Sequence, residues 1–287
     1  MEPATGAADA ALSDKGEQLF DLFRRPQGRS RPRPDERAAM ESARTSELTV
    51  NGKVAVVYRW GTGERPVLLV HGWESRASRY AKAVARLLEL GFSPVSFDAP
   101  GHGEATGDTT TLVEYVEIIA RLHREHGTFE AIVAHSFGAT ATFVALQQAV
   151  CARRVVAIST VPDFSYLVDA FAVGLSLEPP LAAEVRGRLE RQVYPAETDM
   201  WSRFSVFHGS EAVRIPLLFI HDEDDTMVDA GQGRRIAEFF GDRARLVLTR
   251  RFGHLRILGA PQVVAEIADF VSCDTTVQKS GTEVAAR

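Results

Sequence analysis

From Leu48 onward, short apolar runs alternate with longer segments in which apolar residues recur every three or four positions. The short runs, such as VLLV, have the length of buried strands, and the longer segments have the spacing of amphipathic helices. An Asn-Gly pair at 51–52 predicts a hairpin between the first two strands. Strands are predicted at 48–50, 54–60, 67–70, 94–97, 131–134, 154–159, 216–220 and 244–249. Helices are predicted at 77–90, 110–126, 137–150, 230–240 and 261–272.

This alternation predicts an α/β fold, in which a mostly parallel sheet of about eight strands is covered by helices on both faces. Ligands of such sheets bind beyond the carboxyl ends of the strands. The segments that follow five of the predicted strands are rich in histidine, serine and acidic residues, and they read HGW, DAPGHGEATG, HSFGA, HDEDDTMV and RRFGHLRIL. We therefore expect the functional site at this edge of the sheet.

Composition and charge exclude several classes of function. The chain has 287 residues, of which 45% are hydrophobic and 25% charged, as in an ordinary globular protein. Its net charge of -5 gives no reason to expect a nucleic-acid partner. Cys151 and Cys273 match no metal-ligand spacing and make no disulfide framework, so we expect a reducing, cytoplasmic setting. The sequence shows no signal peptide and no long apolar stretch, and it predicts no membrane span.

The two ends of the chain lack the pattern of strands and helices. Residues 1–45 are rich in alanine, proline and arginine, and we expect a flexible or partly docked arm with a short docking helix around Leu19–Phe23. The arginines also permit a second interpretation, an arm that binds nucleic acid or anionic lipid. Nearby acidic residues and the lack of interleaved aromatic residues favour a solvated arm that activity does not require. Residues 273–287 are expected to form a disordered tail.

The stretch IVAHSFGATA, residues 132–141, passes from a predicted strand to a predicted helix at Ser136. A sharp turn at that position holds the serine in a strained backbone conformation and lifts its hydroxyl group clear of the sheet. Ala134 and Gly138, two residues before and after it, are small. Larger side chains there would collide with the neighbouring strand and helix, so the pattern is that of a nucleophile elbow.

With this elbow the sequence resembles the α/β-hydrolase superfamily over about residues 48–272. The motifs HGW, DAPGHG, AHSFGA, HDEDDTMV and GHLRIL occur in that family's order, and the chain looks closest to small bacterial serine hydrolases. It departs from the common Gly-x-Ser-x-Gly pattern at Ala134, although alanine is still small. The resemblance implies an α/β-hydrolase domain over residues 46–272 with a small helical cap inserted at 161–210.

The resemblance also implies a catalytic triad in which Ser136 is the nucleophile. His254, which follows the last predicted strand, matches the family's general base. Asp225 stands where the family pattern places the acid, and its acidic neighbours are expected to cap the next helix or face water. Asp163 is the alternative acid, because some family members use the end of the strand at 154–159.

Attack by the serine creates an oxyanion, which needs preorganised hydrogen-bond donors. By the resemblance these are the backbone N–H groups of Trp73 and Phe137, whose aromatic rings would also line the pocket. The cap is expected to consist of two helices broken at prolines 179 and 180. Candidate pocket residues on its apolar face are Phe164, Leu167 and Phe171.

These features predict a serine hydrolase that cleaves small carboxylic esters through an acyl-enzyme intermediate, with no metal and no cofactor. Thioesterase, peptidase, carbon–carbon bond hydrolase and perhydrolase activities use the same triad and stay open. A hydrolase-fold protein that binds a ligand without catalysis is the alternative from another class. The sequence gives neither the oligomeric state nor the physiological substrate.

Overall fold

The computed structural model of the chain describes the backbone of residues 4–273 and the side chains from residue 12 onward. The expected C-terminal tail therefore lies outside the described residues, apart from Cys273. Within this range the core is an open sheet of eight strands. They are Arg44–Val50 (β1), Lys53–Arg59 (β2), Pro66–Val70 (β3), Ser93–Asp98 (β4), Ala131–His135 (β5), Val155–Ile158 (β6), Leu217–Asp222 (β7) and Ala244–Thr249 (β8).

The sheet is mostly parallel, as the sequence predicted, and its order is β1-β2-β4-β3-β5-β6-β7-β8. β2 pairs antiparallel with β1 and β4, and each later pair of neighbouring strands is parallel. The chain moves from β3 outward to β4 and then crosses back over β3 to β5. The strand order therefore reverses at β3 and β5, which is where ligands bind in open α/β sheets.

Helices lie on both faces of this sheet. Alternate residues of β3 belong to different cores, because side chains along a strand point to opposite faces. One core includes Leu68 and residues of the helices Leu112–His126, Phe137–Gln147 and Ala230–Phe240. The other includes Leu69 and residues of the helices Ala81–Glu89 and Pro261–Ser272. In chain order, the helices are Ala4–Arg24 (α1), Arg37–Glu41 (α2), Ala81–Glu89 (α3), Leu112–His126 (α4), Phe137–Gln147 (α5), Phe164–Gly174 (α6), Pro179–Arg188 (α7), Met200–Arg203 (α8), Ala230–Phe240 (α9), Gly253–Arg256 (α10) and Pro261–Ser272 (α11).

Several predicted boundaries differ from the observed ones for local reasons. β1 starts four residues earlier than predicted, at Arg44, because the first half of this edge strand is exposed and polar and carries no apolar signal. α4 starts at Leu112, since Thr111 and Glu114 form a capping box that fixes its first turn. The predicted helix at 77–90 begins as a 3₁₀ turn, Ala77–Tyr80, before α3 continues it.

The N-terminal segment is more ordered than the sequence suggested. α1 runs for 21 residues, where only a short helix around Leu19–Phe23 was expected. It ends at Arg24, two residues before Pro26, as helices commonly do ahead of a proline. Phe20 is only 3% exposed and belongs to the same hydrophobic core as α4 and α5. The helix packs against α7 of the inserted segment.

The insertion between β6 and β7 carries α6, α7, a π-helical turn at Leu189–Val193 and α8. α6 ends at Gly174 and α7 begins at Pro179, so the helices break where the prolines predicted. Proline suits this first position of a helix because its missing N–H group would have no partner there. Among the described residues the insertion also holds one isolated β-bridge, between Asp163 and Ser205, and its helices contribute to the cavity described below.

Candidate active site

Ser136 lies in the turn between β5 and α5 and has the strained backbone that its neighbours suggested. Its φ is +53°, in a region that residues with a side chain rarely adopt. The turn brings the backbone at Gly138 against β3: a Cβ atom there would lie 2.3 Å from the carbonyl oxygen of His71. Ala134 is fully buried in the strand itself. Gly138 therefore has no room for a side chain beside the neighbouring strand, and Ala134 lies in the core.

The structure joins Ser136, His254 and Asp225 in one chain of hydrogen bonds. Nε2 of His254 lies 3.0 Å from Oγ of Ser136, and Nδ1 of His254 lies 2.7 Å from Oδ2 of Asp225. His254 is held in α10, which follows β8, and Asp225 follows β7. The alternative acid, Asp163, instead caps α6 by accepting a hydrogen bond from the backbone N–H of Tyr166. The partner of His254 is therefore Asp225.

Asp225 is held ionised by its surroundings. Burial alone would raise the pKa of this carboxyl group, but the hydrogen bond and charge interaction with His254 lower it. The backbone N–H groups of Met227 and Val228 donate to Oδ1 at 2.9 and 3.0 Å and lower the pKa further, to about 2. Oδ2 is thereby left to face His254, which fixes the orientation of both side chains.

Asp222 has a role that the sequence analysis missed. It was expected to cap a helix or face water, but it is fully buried and connects the loop after β7 to the loop after β8. Its carboxylate accepts hydrogen bonds from the backbone N–H groups of Phe252 and Gly253 and from the hydroxyl group of Thr249. These contacts position the residue before His254. No local sequence signal distinguishes Asp222 from its three acidic neighbours.

His135 supports His254 from the other side. Its Nε2–H group donates to the backbone carbonyl oxygen of His254 at 2.9 Å, and the two rings lie 4.7 Å apart. Burial, followed by the nearby His254, holds the pKa of His135 well below its usual range, so it stays neutral. His135 therefore packs and hydrogen-bonds beside the site.

The loop after β3 approaches the turn that carries Ser136. Gly72 lies so close that a Cβ atom there would be 2.9 Å from Cβ of Ser136. The next residue is Trp73, whose ring stands edge-on to that of Phe137 at 5.7 Å. Within residues 4–273, neither the N–H group of Trp73 nor that of Phe137 donates to a protein acceptor. Both N–H groups are therefore left without a protein partner in the described part of the chain.

Two buried histidines fix the shape of this loop. His71 donates from Nδ1 to the carbonyl oxygen of Gly72 at 2.7 Å and accepts at Nε2 from the N–H group of Ala99. His102 accepts at Nε2 from the N–H group of Glu74 at 3.0 Å. Burial lowers the pKa of His71 to about 4 and that of His102 to about 3, so both remain neutral and can accept these bonds.

A cavity of about 500 Å³ opens beside Ser136 and His254. It has mostly apolar walls and includes all three pocket residues predicted on the cap, Phe164, Leu167 and Phe171. Trp73 and Phe137 also line it, as expected. Its volume falls in the range of small-molecule pockets. Leu175, which belongs to the same apolar face of the insertion, also lines the cavity. Apolar contributors that the sequence analysis did not anticipate include Leu22 and Phe23 of α1, Leu189, Val193 and Tyr194 of the insertion, and Met227.

Among the residues that the structure describes, no three histidine, cysteine or carboxylate side chains are grouped so that they could hold a metal ion. None of the described helices combines the length and apolar character needed to cross a membrane.

Comparisons with known proteins agree with the architecture. Similar solved structures include an esterase from Pyrococcus furiosus, with 19% identity and a TM-score of 0.61 over 86% of this chain and 97% of that one. A monoacylglycerol lipase from Paleococcus ferrophilus has 22% identity and a TM-score of 0.57 over 76% and 98% of the two chains. A thioesterase domain from the curacin biosynthetic pathway has 13% identity and a TM-score of 0.58 over 80% and 99%.

At these identities the similarity shows a shared fold. The comparison with curated proteins found no match. The sequence itself, however, matches the Alpha/beta hydrolase family over residues 67–270, which is more than half of the chain. That match begins in β3 and ends in α11, so it includes the elbow, the acid loop and the histidine loop. The protein therefore belongs to the α/β-hydrolase family.

Proposed function

We propose that this protein is a serine hydrolase that cleaves carboxylic esters of small molecules through an acyl-enzyme intermediate. Ser136 is the nucleophile, His254 the general base and acid, and Asp225 the residue that orients the histidine. The observation that carries the proposal is the hydrogen-bonded chain from Asp225 through His254 to Ser136 at the wall of an apolar cavity. An unactivated serine is a weak nucleophile, and this arrangement supplies the base that it needs.

The proton path follows from the ionised state of Asp225. Because its carboxylate accepts the hydrogen bond from Nδ1–H of His254, the lone pair of Nε2 faces the hydroxyl group of Ser136. Nε2 takes that proton as Oγ attacks the ester carbonyl carbon, and it returns the proton to the departing alcohol. Water then repeats the sequence on the acyl-enzyme and releases the acid.

The oxyanion of each tetrahedral intermediate is proposed to accept hydrogen bonds from the N–H groups of Trp73 and Phe137. Donors that are already in place need not reorganise when charge develops on the oxygen. In comparable sites each such donor lowers the activation free energy by about 3 kcal/mol. The loop that carries Trp73 is suited to this role because His71 and His102 hold it from within the protein.

The apolar cavity supports an acyl ester as substrate, and residues 161–210 are proposed to act as a small cap over it. Phe164, Leu167 and Phe171 of that segment give the acyl or alcohol group an apolar wall. Most of the wall surface is apolar, which suits an acyl chain better than a peptide or a sugar. We therefore propose short to medium chains in preference to long-chain triglycerides.

The test is hydrolysis of p-nitrophenyl esters by the wild type, Ser136→Ala, His254→Ala and the double variant. Groups that act as one unit are not additive, so the double variant should lose little more kcat than either single variant. Clearly additive losses would contradict the triad. Turnover of acyl thioesters but not of matched oxygen esters would assign the same triad to a thioesterase. Failure of a fluorophosphonate to label Ser136 would instead favour a binding protein without catalysis.

A further inference from the structure

The end of α1 reaches the same cavity as Ser136. Leu22 and Phe23, in the last turn of this helix, line the cavity together with the cap. The ring of Phe23 stands edge-on to Phe171 at 5.2 Å and to Phe164 at 6.1 Å. Part of the cavity wall thus comes from a segment that the sequence analysis had set apart as dispensable.

α1 is held against the cap by specific contacts. The guanidinium group of Arg188, on α7, donates to the carbonyl oxygen and the hydroxyl oxygen of Ser13 at 3.0 and 3.1 Å. The same group pairs with Glu184 at 2.7 Å. Gly16 faces this pair so closely that a Cβ atom would lie 2.4 Å from Cγ of Glu184. These contacts therefore fix the position of α1 against α7.

The chain that follows α1 is tied to the loops around the site. Gln27 donates from its side chain to the carbonyl oxygen of Leu22 at 3.1 Å and from its backbone N–H to Glu74 at 2.7 Å. Glu74 is the neighbour of Trp73, the proposed oxyanion donor. Arg29 donates to backbone carbonyl oxygens of the loop after β4, including that of Gly103 at 3.0 Å. Residues 27–29 therefore connect the end of α1 to the loops after β3 and β4 by hydrogen bonds.

Three arginines at the end of α1 and just after it make contacts within the protein. Arg24 pairs with Asp21, and Arg25 pairs with Asp108. Arg29 donates hydrogen bonds to backbone carbonyl oxygens of the loop after β4. These contacts favour a structural role for this part of the chain beside the site.

We infer that Phe23 is a specificity-determining residue of this site, and that its ring limits the length of the apolar chain that the cavity accepts. This inference rests on the proposed function for the chemistry of the substrate, but not for the shape of the cavity. Each methylene that enters an apolar pocket should tighten binding about fourfold. The gain stops where the chain meets a wall, and Phe23 forms such a wall with Phe171.

The test measures binding without turnover, in the Ser136→Ala background. Dissociation constants are determined by isothermal titration calorimetry for methyl alkanoates and for alkyl acetates of increasing length. In the Phe23→Ala variant, affinity should keep rising with chain length for roughly two more carbons in one of the two series. The reason is that the substitution removes more volume than two methylene groups occupy. Phe23→Trp should shorten the range in the same series.

Leu19→Ala is the matched control, because Leu19 is an apolar residue of α1 that packs on the core and is not among the described residues that line the cavity. It should lower stability without moving the chain-length limit. Urea unfolding establishes that each variant is folded under the binding conditions. If the limit stays at the same length in both series for Phe23→Ala and Phe23→Trp, the inference is wrong. Wild-type protein that binds the esters with the expected limit but hydrolyses none would refute the proposed function and leave the role of Phe23 standing.

Discussion

Replacing Asp225 by asparagine should remove nearly all activity while changing only one atom of the side chain. The N–H groups of Met227 and Val228 donate to Oδ1, so the amide oxygen of the variant must take that position. The amide NH₂ group then occupies the position of Oδ2, 2.7 Å from Nδ1 of His254 in the wild type. Nδ1 must accept from it, and the ring proton moves to Nε2.

In that tautomer Nε2 carries a proton at the 3.0 Å contact with Ser136 and cannot accept the serine proton. We expect kcat/KM to fall by about 10⁴, which corresponds to about 5 kcal/mol of activation free energy. The pKa of Asp225 is lowered from 3.8 to about 2 in the folded protein, so its charge stabilises the fold above pH 4 and this contribution is lost as the pH falls through 2. The variant should therefore also lose about 2 kcal/mol of stability at neutral pH.

The assay is hydrolysis of p-nitrophenyl butyrate, with urea unfolding to establish that the variant is folded. Asp163→Asn is the control, because asparagine caps a helix about as well as aspartate and should change neither activity nor stability appreciably. A variant Asp225→Asn that keeps a tenth of the wild-type rate, or a larger loss at Asp163, would refute this reasoning.

Three further predictions concern the framework of the site. Gly138→Ala should destabilise the protein by about 1–3 kcal/mol and reduce activity, because backbone atoms of β3 must shift, whereas Gly174→Ala, which has open space around it, should be tolerated in urea unfolding. Asp222→Ala should cost at least about 3 kcal/mol, since it leaves several buried donors without a partner, and unchanged stability would contradict the role given to it. Burial lowers the pKa of His71 to about 4 and that of His102 to about 3, so between pH 6.5 and 4 the unfolded state binds protons at these two rings that the folded state does not. The free energy of unfolding should therefore fall by about 3 kcal/mol for each ring across that range, and a pH-independent stability would contradict the neutral state of both histidines.

The sheet was predictable because buried parallel strands are short, apolar and separated by amphipathic helices. The parts that were not predicted lack this signal. β1 is an edge strand that pairs only with β2, and its first half is exposed to solvent. Polar residues such as Thr45 and Glu47 are therefore tolerated there. The first half of α1 is rich in alanine, and the helix packs against α7 through a contact between residues 175 positions apart in sequence. Such long-range packing leaves no local pattern.

The residues of the candidate site also divide into those that the sequence predicted and those that it did not. Ser136, Asp225 and His254 stand in motifs whose order along the chain could be recognised, and the structure joins them by hydrogen bonds. Asp222 and Phe23 stand in no such motif. Their contacts form only when the loops after β7 and β8, or α1 and the cap, have come together. Sequence reasoning therefore recognised the candidate chemical groups but not the residues that position them or shape the cavity.

The central claim is that Ser136 forms a covalent acyl-enzyme. The direct measurement is intact-protein mass spectrometry after rapid acid quenching of the protein mixed with p-nitrophenyl butyrate, followed by peptide mapping. The account predicts one added butyryl group, located on Ser136, which appears and decays at rates that match turnover and is absent from Ser136→Ala. Turnover without any acyl adduct on Ser136, or an adduct on another residue that accounts for the rate, would contradict the account.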